Sequence, residues 1–323
     1  MKFLRRCIRY KSWRFLFNSV LFVICLFLAD INGFSQDVRN QHRIYFISDI
    51  QSPLFVEKIV LKDYKNEVAR DSLFTDILLQ RPINLLMLGD LTSRGSSEKA
   101  WRPLDNFLNS LKIIGTKVYA IPGNHEYMST ATGGMNMFEH RFQKEWLSGY
   151  VVNIDSISIV MLNSNVNDLA ENELSKQLKW YKSAMISLDS DPGVKAVIVC
   201  THHAPYSNSK IVGSSEPVEN LIIPAFEKSQ KSILFISGHS HNLEYFSDSA
   251  GKHFLVIGGS GGLTQPLLPL NKRKFRDLLE QEIKPLYFYL VIEKNGNNLE
   301  LIARGFKKDF IFFELNIGVI PVN

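Results

Sequence analysis

Five short stretches of the chain carry side chains that commonly bind metals. They are Asp49 with Gln51, Asp90, Asn124 with His125, His202 with His203, and His239 with His241. This mixture of carboxylate and amide oxygens with imidazoles suits Mn, Fe, Co or Zn. Two such ions about 3.5 to 4 Å apart, bridged by one carboxylate, would use this many ligands and could clamp the attacking and leaving oxygens of a phosphate ester. The residue types therefore indicate a two-metal hydrolytic site.

Each of these stretches comes directly after a predicted strand. The short apolar runs cover residues 44–48, 84–88, 117–121, 195–200 and 233–236. Helical spacing predicts helices between them, at about residues 56–79, 97–114, 137–147, 171–187 and 218–228. Strand exits of an open α/β sheet meet at one edge, so we expect the five stretches to converge there. With no repeat and no long linker, the pattern predicts one layered α/β domain with one continuous core.

The later part of the chain contains more strands. Runs 150–154 and 157–162 predict a hairpin across Asp155-Ser156, and runs 286–292 and 299–303 predict another across Asn295-Gly296. Further strands are expected at 253–257, which ends in the glycine-rich run 258–262, and at 310–315. Residues 272–284 have the composition of a charged helical insertion.

The ordered motifs resemble those of the calcineurin-like binuclear metallophosphoesterases over about residues 43–262. They are Asp49-x-Gln51, Gly89-Asp90, Gly123-Asn124-His125-Glu126, His202 and Gly238-His239-x-His241. Ala204-Pro205-Tyr206 and Asn242-Leu243-Glu244-Tyr245 resemble more narrowly the purple acid phosphatase branch, especially its small tartrate-resistant type. The resemblance implies an α/β fold, a four-layer αββα sandwich with two central mixed β-sheets, with a C-terminal β-rich part at about 283–323.

The resemblance also implies a role for each motif residue. Asp90 would bridge two divalent or mixed-valence transition metal ions, Fe, Mn or Zn. One ion would take Asp49 and His241, with Gln51 as a possible fourth ligand, and the other would take Asn124, His202 and His239. A hydroxide bridging the metals would attack phosphorus, and His125 would bind the phosphate or protonate the departing alkoxide.

Two residues depart from the family pattern. Gln51 stands where most members have His, and an amide oxygen is a weaker and harder ligand, so this position is expected to be labile or to select Mn or Fe(II). Ser93 stands where purple acid phosphatases have a ligand Tyr, three residues after the bridging Asp. Without that tyrosinate we expect no purple charge-transfer absorption.

His203, Arg94 and Asn124 are the candidate substrate-binding residues. His202 is preferred to His203 as the ligand because the purple acid phosphatase pattern places Tyr four residues after it. His203 then either faces the substrate or bonds locally, and Arg94 either reaches a phosphate as a bidentate donor or makes a surface salt bridge. The leading function is hydrolysis of small-molecule phosphate monoesters. The alternatives are a phosphodiesterase, or a degenerate phosphate- or nucleotide-binding protein of the same fold.

The first 36 residues have the composition of a secretory signal peptide. Six basic residues precede the uncharged run 15–29, and small and polar residues follow it. This predicts an exported protein, periplasmic or extracellular, with one domain at 37–323; an uncleaved membrane anchor is the alternative. The segment also contains the whole surplus of five positive charges, so bulk charge gives no reason to expect a nucleic-acid partner. Cys200 is expected to be a buried apolar residue.

Overall fold

Two six-stranded mixed β-sheets form the centre of the computed structural model, which describes residues 42–53, 65–142 and 148–322. In chain order the strands are β1 (Arg43–Ile47), β2 (Asn84–Leu88), β3 (Lys117–Ile121), β4 (Tyr150–Ile154), β5 (Ile157–Met161), β6 (Ala196–Cys200), β7 (Ser232–Ser237), β8 (Leu243–Ser247), β9 (His253–Ile257), β10 (Tyr287–Asn295), β11 (Asn298–Phe306) and β12 (Phe313–Pro321). The first sheet has the order β12-β11-β10-β1-β2-β3 and the second β4-β5-β6-β7-β9-β8. The neighbouring strands β1, β2 and β3 of the first sheet are parallel, and so are β5, β6, β7 and β9 of the second, as their buried β-branched and apolar residues favour.

Helices cover the outer face of each sheet. They are α1 (Asn66–Gln80), α2 (Glu98–Ile113), α3 (Asn124–Tyr127), α4 (Ala131–Arg141), α5 (Glu171–Ser190), α6 (Glu216–Leu221) and α7 (Ile223–Lys228). In α2 the buried residues Trp101, Leu104, Phe107 and Leu111 recur every three or four positions and form one apolar stripe. Helices, sheet, sheet and helices make the predicted four-layer αββα sandwich, which is confirmed.

The prediction of one continuous core is wrong, because each sheet buries both of its faces. Successive side chains of a strand point to opposite faces, so Phe46 joins the cluster between the sheets while Tyr45 joins the cluster under α1 and α2. A third cluster, which includes Tyr181 and Phe226, lies between the second sheet and helices α5 to α7. Cys200 is buried in the central cluster, as predicted.

Both predicted hairpins are confirmed, but two helix predictions need correction. The helix expected at 137–147 runs from Ala131 to Arg141, and residues 143–147 lie outside the described residues. Position 134 of this helix requires glycine, because a Cβ there would lie 1.8 Å from the carbonyl oxygen of Glu126. The helix expected at 56–79 is described only from Asn66 onward.

Residues 272–284 do not form the predicted helical insertion. A single 3-10 turn, Leu270–Lys272, is present instead, because side-chain oxygens accept backbone N–H groups of this segment. The Asn208 side chain accepts from the N–H groups of Lys274 and Phe275, and Asp277 accepts from that of Leu279. Sequence reasoning also missed β8, which pairs with β9 at the edge of the second sheet.

The predicted signal segment, residues 1–36, lies outside the described residues. Across the part of the chain that the structure describes, every helix is too short or too polar to cross a membrane.

Candidate metal centre

The five motif-bearing loops meet at the carboxyl ends of parallel strands from both sheets, as their positions after the strands predicted. The N–H of Asp49 donates to Gly89 O at 3.1 Å, and the N–H of Gln51 donates to Asp90 O at the same distance. Asp49, Asp90 and His239 have positive φ values of 58°, 51° and 63°, which residues with a Cβ rarely adopt. Backbone strain of this kind persists where the surroundings fix it, and it concentrates at functional sites.

Asp49, Asp90 and His241 form the first of two candidate metal-binding groups, with ligand atoms within 4.8 Å of one another. His241 Nε2 lies 3.3 Å from Asp49 Oδ1. The amide of Gln51 lies between His241 and Asp90, with its Nε2 at 3.2 Å from His241 Nε2 and at 3.3 Å from Asp90 Oδ2. Ser48 Oγ donates to Asp49 Oδ2 at 2.6 Å and helps to hold that carboxylate.

The second group surrounds His202, whose side chain is fully buried. Its Nδ1 lies 2.8 Å from Leu88 O, so Nδ1–H donates to this carbonyl. Nε2 then faces Asn124 Oδ1 at 3.1 Å and Asp90 Oδ1 at 3.4 Å. The ring of His239 lies 5.0 Å from that of His202, centroid to centroid. Asp90 therefore directs one oxygen toward each group.

These spacings fit metal binding. Two ligands about 2.1 Å from one ion and about 90° to 110° apart at the ion are themselves about 3.0 to 3.4 Å apart, which matches the 3.1 to 3.4 Å separations of the donor atoms here. Gln51 Oε1 is buried without a hydrogen-bond partner among the described residues. A half-turn of the amide plane exchanges Oε1 and Nε2 and brings an oxygen ligand toward Asp90 and His241.

The ionisation of the site also suits a cation. Burial raises the pKa of Asp90, but His202 and His125 outweigh this and hold it well below its usual range. Burial lowers the pKa of His202, and Asp90 more than reverses this, raising it to about 9. A metal ion in place of that proton would satisfy the same carboxylate.

The imidazoles of His203 and His239 stay neutral. Burial, and then the charge of His202, lower the pKa of His203 to about 3 and that of His239 well below its usual value. His241 differs, because burial lowers its pKa but the hydrogen bond that its ring donates to Asp49 and the negative charge of Asp49 outweigh burial and leave the pKa raised overall. Neutral imidazole is the form that binds metals.

His125 lies beside Asp90 in a fixed orientation. Its backbone N–H donates to Asp90 Oδ1 at 2.9 Å, and its Nδ1 lies 3.0 Å from Ser93 O. Nε2 is 3.8 Å from Asp90 Oδ2, beyond hydrogen-bond distance. Nε2 therefore lies beside Asp90 without a hydrogen bond to a described residue.

Glu126 is the main residue whose role sequence reasoning missed. It is fully buried, and its carboxylate accepts four backbone N–H groups: Asp90 at 2.9 Å, Leu91 at 2.8 Å, Thr92 at 3.1 Å and Gly123 at 2.6 Å. Burial and the charge of Asp90 raise its pKa to about 7, although the hydrogen bond that Gly123 donates to it lowers the pKa. Glu126 therefore fastens the Asp90 loop to the Asn124 loop. An acid three residues after Gly123, at the start of a helix, is the sequence signal of such a cap.

Gly123 makes this close approach of the two loops possible. A Cβ on Gly123 would meet both the backbone nitrogen and the Oδ1 of Asp90 at 2.3 Å. Any side chain at this position would push the Asp90 loop away, so the glycine of the Gly-Asn-His-Glu motif is required by packing.

The candidate substrate residues differ in their surroundings. His203 is half-buried, 4.5 Å from the ring of His239, and its Nδ1 lies 2.9 Å from Ser164 Oγ. Ser164 Oγ also accepts the N–H groups of His202 and His203, a role that the sequence did not indicate. Arg94 is exposed and makes no salt bridge with a described residue, so the alternative of a surface salt bridge is not observed among these residues. His203 belongs to a possible metal-binding group with His202 and His239.

Residues 42–243 match the model of the calcineurin-like phosphoesterase family. The chain belongs to this family. Family membership agrees with the candidate ligand groups in implying divalent metal ions, and it indicates phosphoester hydrolysis as the class of activity.

Three solved structures share the fold of this family member. A purple acid phosphatase from yellow lupin seeds is 15% identical, with a TM-score of 0.63 over 85% of this chain and 53% of its own. GAP50, described as the anchor in the inner membrane complex of Plasmodium, is 15% identical, with a TM-score of 0.55 over 85% of this chain and 89% of its own. A dimetal phosphatase from Danio rerio is 13% identical, with a TM-score of 0.51 over 86% of this chain and 100% of its own. This chain therefore spans about half the length of the lupin enzyme.

Proposed function

We propose that the chain hydrolyses phosphate monoesters of small molecules with two metal ions that share Asp90. The remaining ligands divide into two sets: Asp49, Gln51 and His241 on one side, and Asn124, His202 and His239 on the other. The observation that carries the proposal is the position of Asp90, which directs Oδ2 toward Gln51 and Oδ1 toward His202. A carboxylate between two sets of mixed oxygen and nitrogen ligands suits divalent or mixed-valence Fe, Mn or Zn.

The ions, when bound, lower the pKa of a coordinated water and offset the negative charge of the phosphoryl group. We assign His125 as the proton donor: Asp90 accepts its backbone N–H and Ser93 O accepts its Nδ1–H, so the imidazolium form presents Nε2–H to a phosphoryl oxygen or to the departing alkoxide, and the neutral ring remains after the transfer. Glu126 holds the Asp90 and Asn124 loops at their working separation through its four hydrogen bonds.

Three further residues support a monoester as substrate. A monoester carries about two negative charges near neutral pH, one more than a diester. Arg94 has an exposed guanidinium without a salt bridge to a described residue, and His203 and Asn124 lie beside the second ligand set. We assign these three to the binding of the phosphoryl group.

We also propose that the protein is exported. The support is the sequence of residues 1–36, with a basic start, an uncharged apolar run and a small, polar end. Sequencing the N-terminus of the protein recovered from its native host tests this: a start near Ser35 or Gln36 is expected, and an intact Met1 would contradict cleavage.

The function is tested with purified protein loaded separately with Mn, Fe or Zn. We expect hydrolysis of p-nitrophenyl phosphate to exceed that of bis(p-nitrophenyl) phosphate and to stop when a chelator removes the metal. Preference for the diester would make the chain a phosphodiesterase. Two bound metals without turnover of either compound would make it a binding protein, since a shared fold alone does not establish catalysis.

A further inference from the structure

A cavity of about 510 Å³ opens beside the candidate metal centre, on the side of His241. His241 borders both spaces, because its Nε2 lies 3.3 Å from Asp49 while the same side chain lines the cavity. Its Nδ1 lies 2.7 Å from Leu263 O, which fixes the ring between the two. A group attached to a phosphate at the centre could extend past His241 into this cavity.

The walls of the cavity are mainly apolar. Leu243, Leu267, Pro285, Leu286 and Phe288 line it. Leu243 and Phe288 are buried, whereas Leu267 and Leu286 are half-buried and therefore accessible from the cavity. An apolar surface of this kind favours a hydrocarbon or aromatic body over a polyol.

The rim of the cavity carries positive charge without partners. Lys307 and Lys308 line it, are exposed, and make no hydrogen bond or salt bridge through their side chains with any described residue. Lys284 also lines it, but its ammonium group already binds the Asp277 carboxylate and Leu243 O. Lys307 and Lys308 therefore supply two charges that form no ion pair with a described residue, whereas Lys284 is already paired.

The turn that carries Lys307 and Lys308 is held in place by its neighbours. Phe306, directly before it, is buried, and its ring stacks on that of Phe310 with the centroids 4.8 Å apart. The carbonyl of Phe306 accepts the N–H of Leu286 at 2.9 Å, which ties the turn to the cavity wall. Asp309, the acid nearest in sequence, accepts the N–H of Ile311 at 3.1 Å.

We propose that this cavity binds the leaving group of the substrate, and that the substrate is a phosphate monoester whose leaving group is apolar near the ester and carries a second negative charge at its far end. The inference rests on the proposed function, because it assumes that the ester phosphate lies at the metal centre. The apolar wall selects the body of the leaving group, and Lys307 and Lys308 select its charge.

The test uses naphthyl phosphate, the same ester with a carboxylate on its distal ring, and glycerol phosphate. The variants are Lys307→Ala/Lys308→Ala and Leu267→Asn, with Leu286→Asn as a second change of the wall. Lys176→Ala/Lys179→Ala is the matched control, since it removes two exposed charges from α5. Each variant is compared with wild type on the same compound, so differences in the intrinsic reactivity of the esters cancel.

We expect the rim variant to lower kcat/KM for carboxynaphthyl phosphate by about three- to tenfold, the effect of losing two exposed ion pairs, and to leave naphthyl phosphate within about twofold. High salt should reduce the advantage of wild type in the same way. Either wall variant should lower kcat/KM for naphthyl phosphate by about three- to tenfold and leave glycerol phosphate unchanged. The control pair should change none of these values.

Failure of this inference is distinguishable from failure of the proposed function. If wild type hydrolyses the esters but the rim and wall variants behave like the control pair, the substrate assignment is overturned and the phosphatase activity stands. If no ester is hydrolysed, calorimetric binding of the matching naphthyl phosphonates decides the inference alone. Tighter binding of the carboxylated phosphonate, lost in Lys307→Ala/Lys308→Ala, supports it, and equal binding overturns it.

Discussion

Glu126→Gln replaces the carboxylate that joins two loops of the metal centre. In the native residue Oε1 accepts the N–H groups of Leu91 and Thr92, and Oε2 accepts those of Asp90 and Gly123. Glutamine keeps one oxygen and places an NH₂ group at the other position. Two buried N–H donors then lose their acceptor and face another donor.

The size of this effect follows from the number of donors that lose their acceptor. A buried donor left without a partner costs about 1 to 3 kcal/mol, so two should lower the free energy of unfolding by about 2 to 6 kcal/mol. That is a large part of the roughly 5 to 15 kcal/mol by which a typical domain is stable. The position of Asp90 depends on the same bonds, so the variant should also bind metal more weakly.

Urea unfolding of metal-free protein at about pH 8 measures the change, because Glu126, with a pKa of about 7, is ionised there. Hydrogen exchange should also be faster at one pair of amides, Leu91 and Thr92 or Asp90 and Gly123, according to which oxygen the NH₂ group replaces. Glu173→Gln is the control: Glu173 occupies the equivalent helix position in α5 and accepts the N–H of Ala170 at 3.2 Å, but in an exposed setting. It should change the unfolding free energy by less than about 0.5 kcal/mol. A loss below about 1 kcal/mol in Glu126→Gln, with unchanged exchange, would refute the reasoning.

Three further predictions follow from the same structure. Gln51→His should strengthen metal binding at the Asp49 and His241 position by about tenfold or more, because imidazole is the better ligand; chelator competition measures this, and unchanged affinity would count against Gln51 lying at a metal. His125→Ala should lower kcat by about 10²- to 10⁴-fold with full metal content, whereas loss of metal would make His125 a ligand instead. Burial lowers the pKa of His253 below its usual 6.5, so the folded state binds this proton less readily than the unfolded state. The resulting stability is present above pH 6.5 and is lost as the pH falls through the folded-state pKa, and His253→Gln should flatten that part of a urea-unfolding pH series; an unchanged slope would exclude His253 as its source.

The convergence of the ligand residues was predictable from sequence because it depends on strand ends. Asp49, Asp90, Asn124, His202 and His239 each follow an apolar run, and the carboxyl ends of neighbouring parallel strands must meet at one edge. The order of the motifs then indicated the family. These features are local in sequence, so reading the chain alone recovered them.

Features that depend on long-range contacts could not be predicted in this way. The segment 272–284 has helical composition, but Asn208 binds its backbone N–H groups from 66 residues away or more. The helical position 134 is occupied by glycine because the backbone of Glu126 leaves no room there for a Cβ. Three of the four hydrogen bonds of Glu126 likewise reach residues more than 30 positions earlier in the chain. In each case a tertiary contact outweighed the local preference.

The central claim of the proposed function is that two metal ions share the carboxylate of Asp90. The metal content of the protein tests this claim most directly. Elemental analysis of wild type after metal loading and desalting should find two equivalents per chain, and Asp90→Asn should lose both with its phosphatase activity. Asp168→Asn, which changes an exposed carboxylate in the same way, should retain both. Two equivalents of metal and full turnover in Asp90→Asn would contradict the two-metal site.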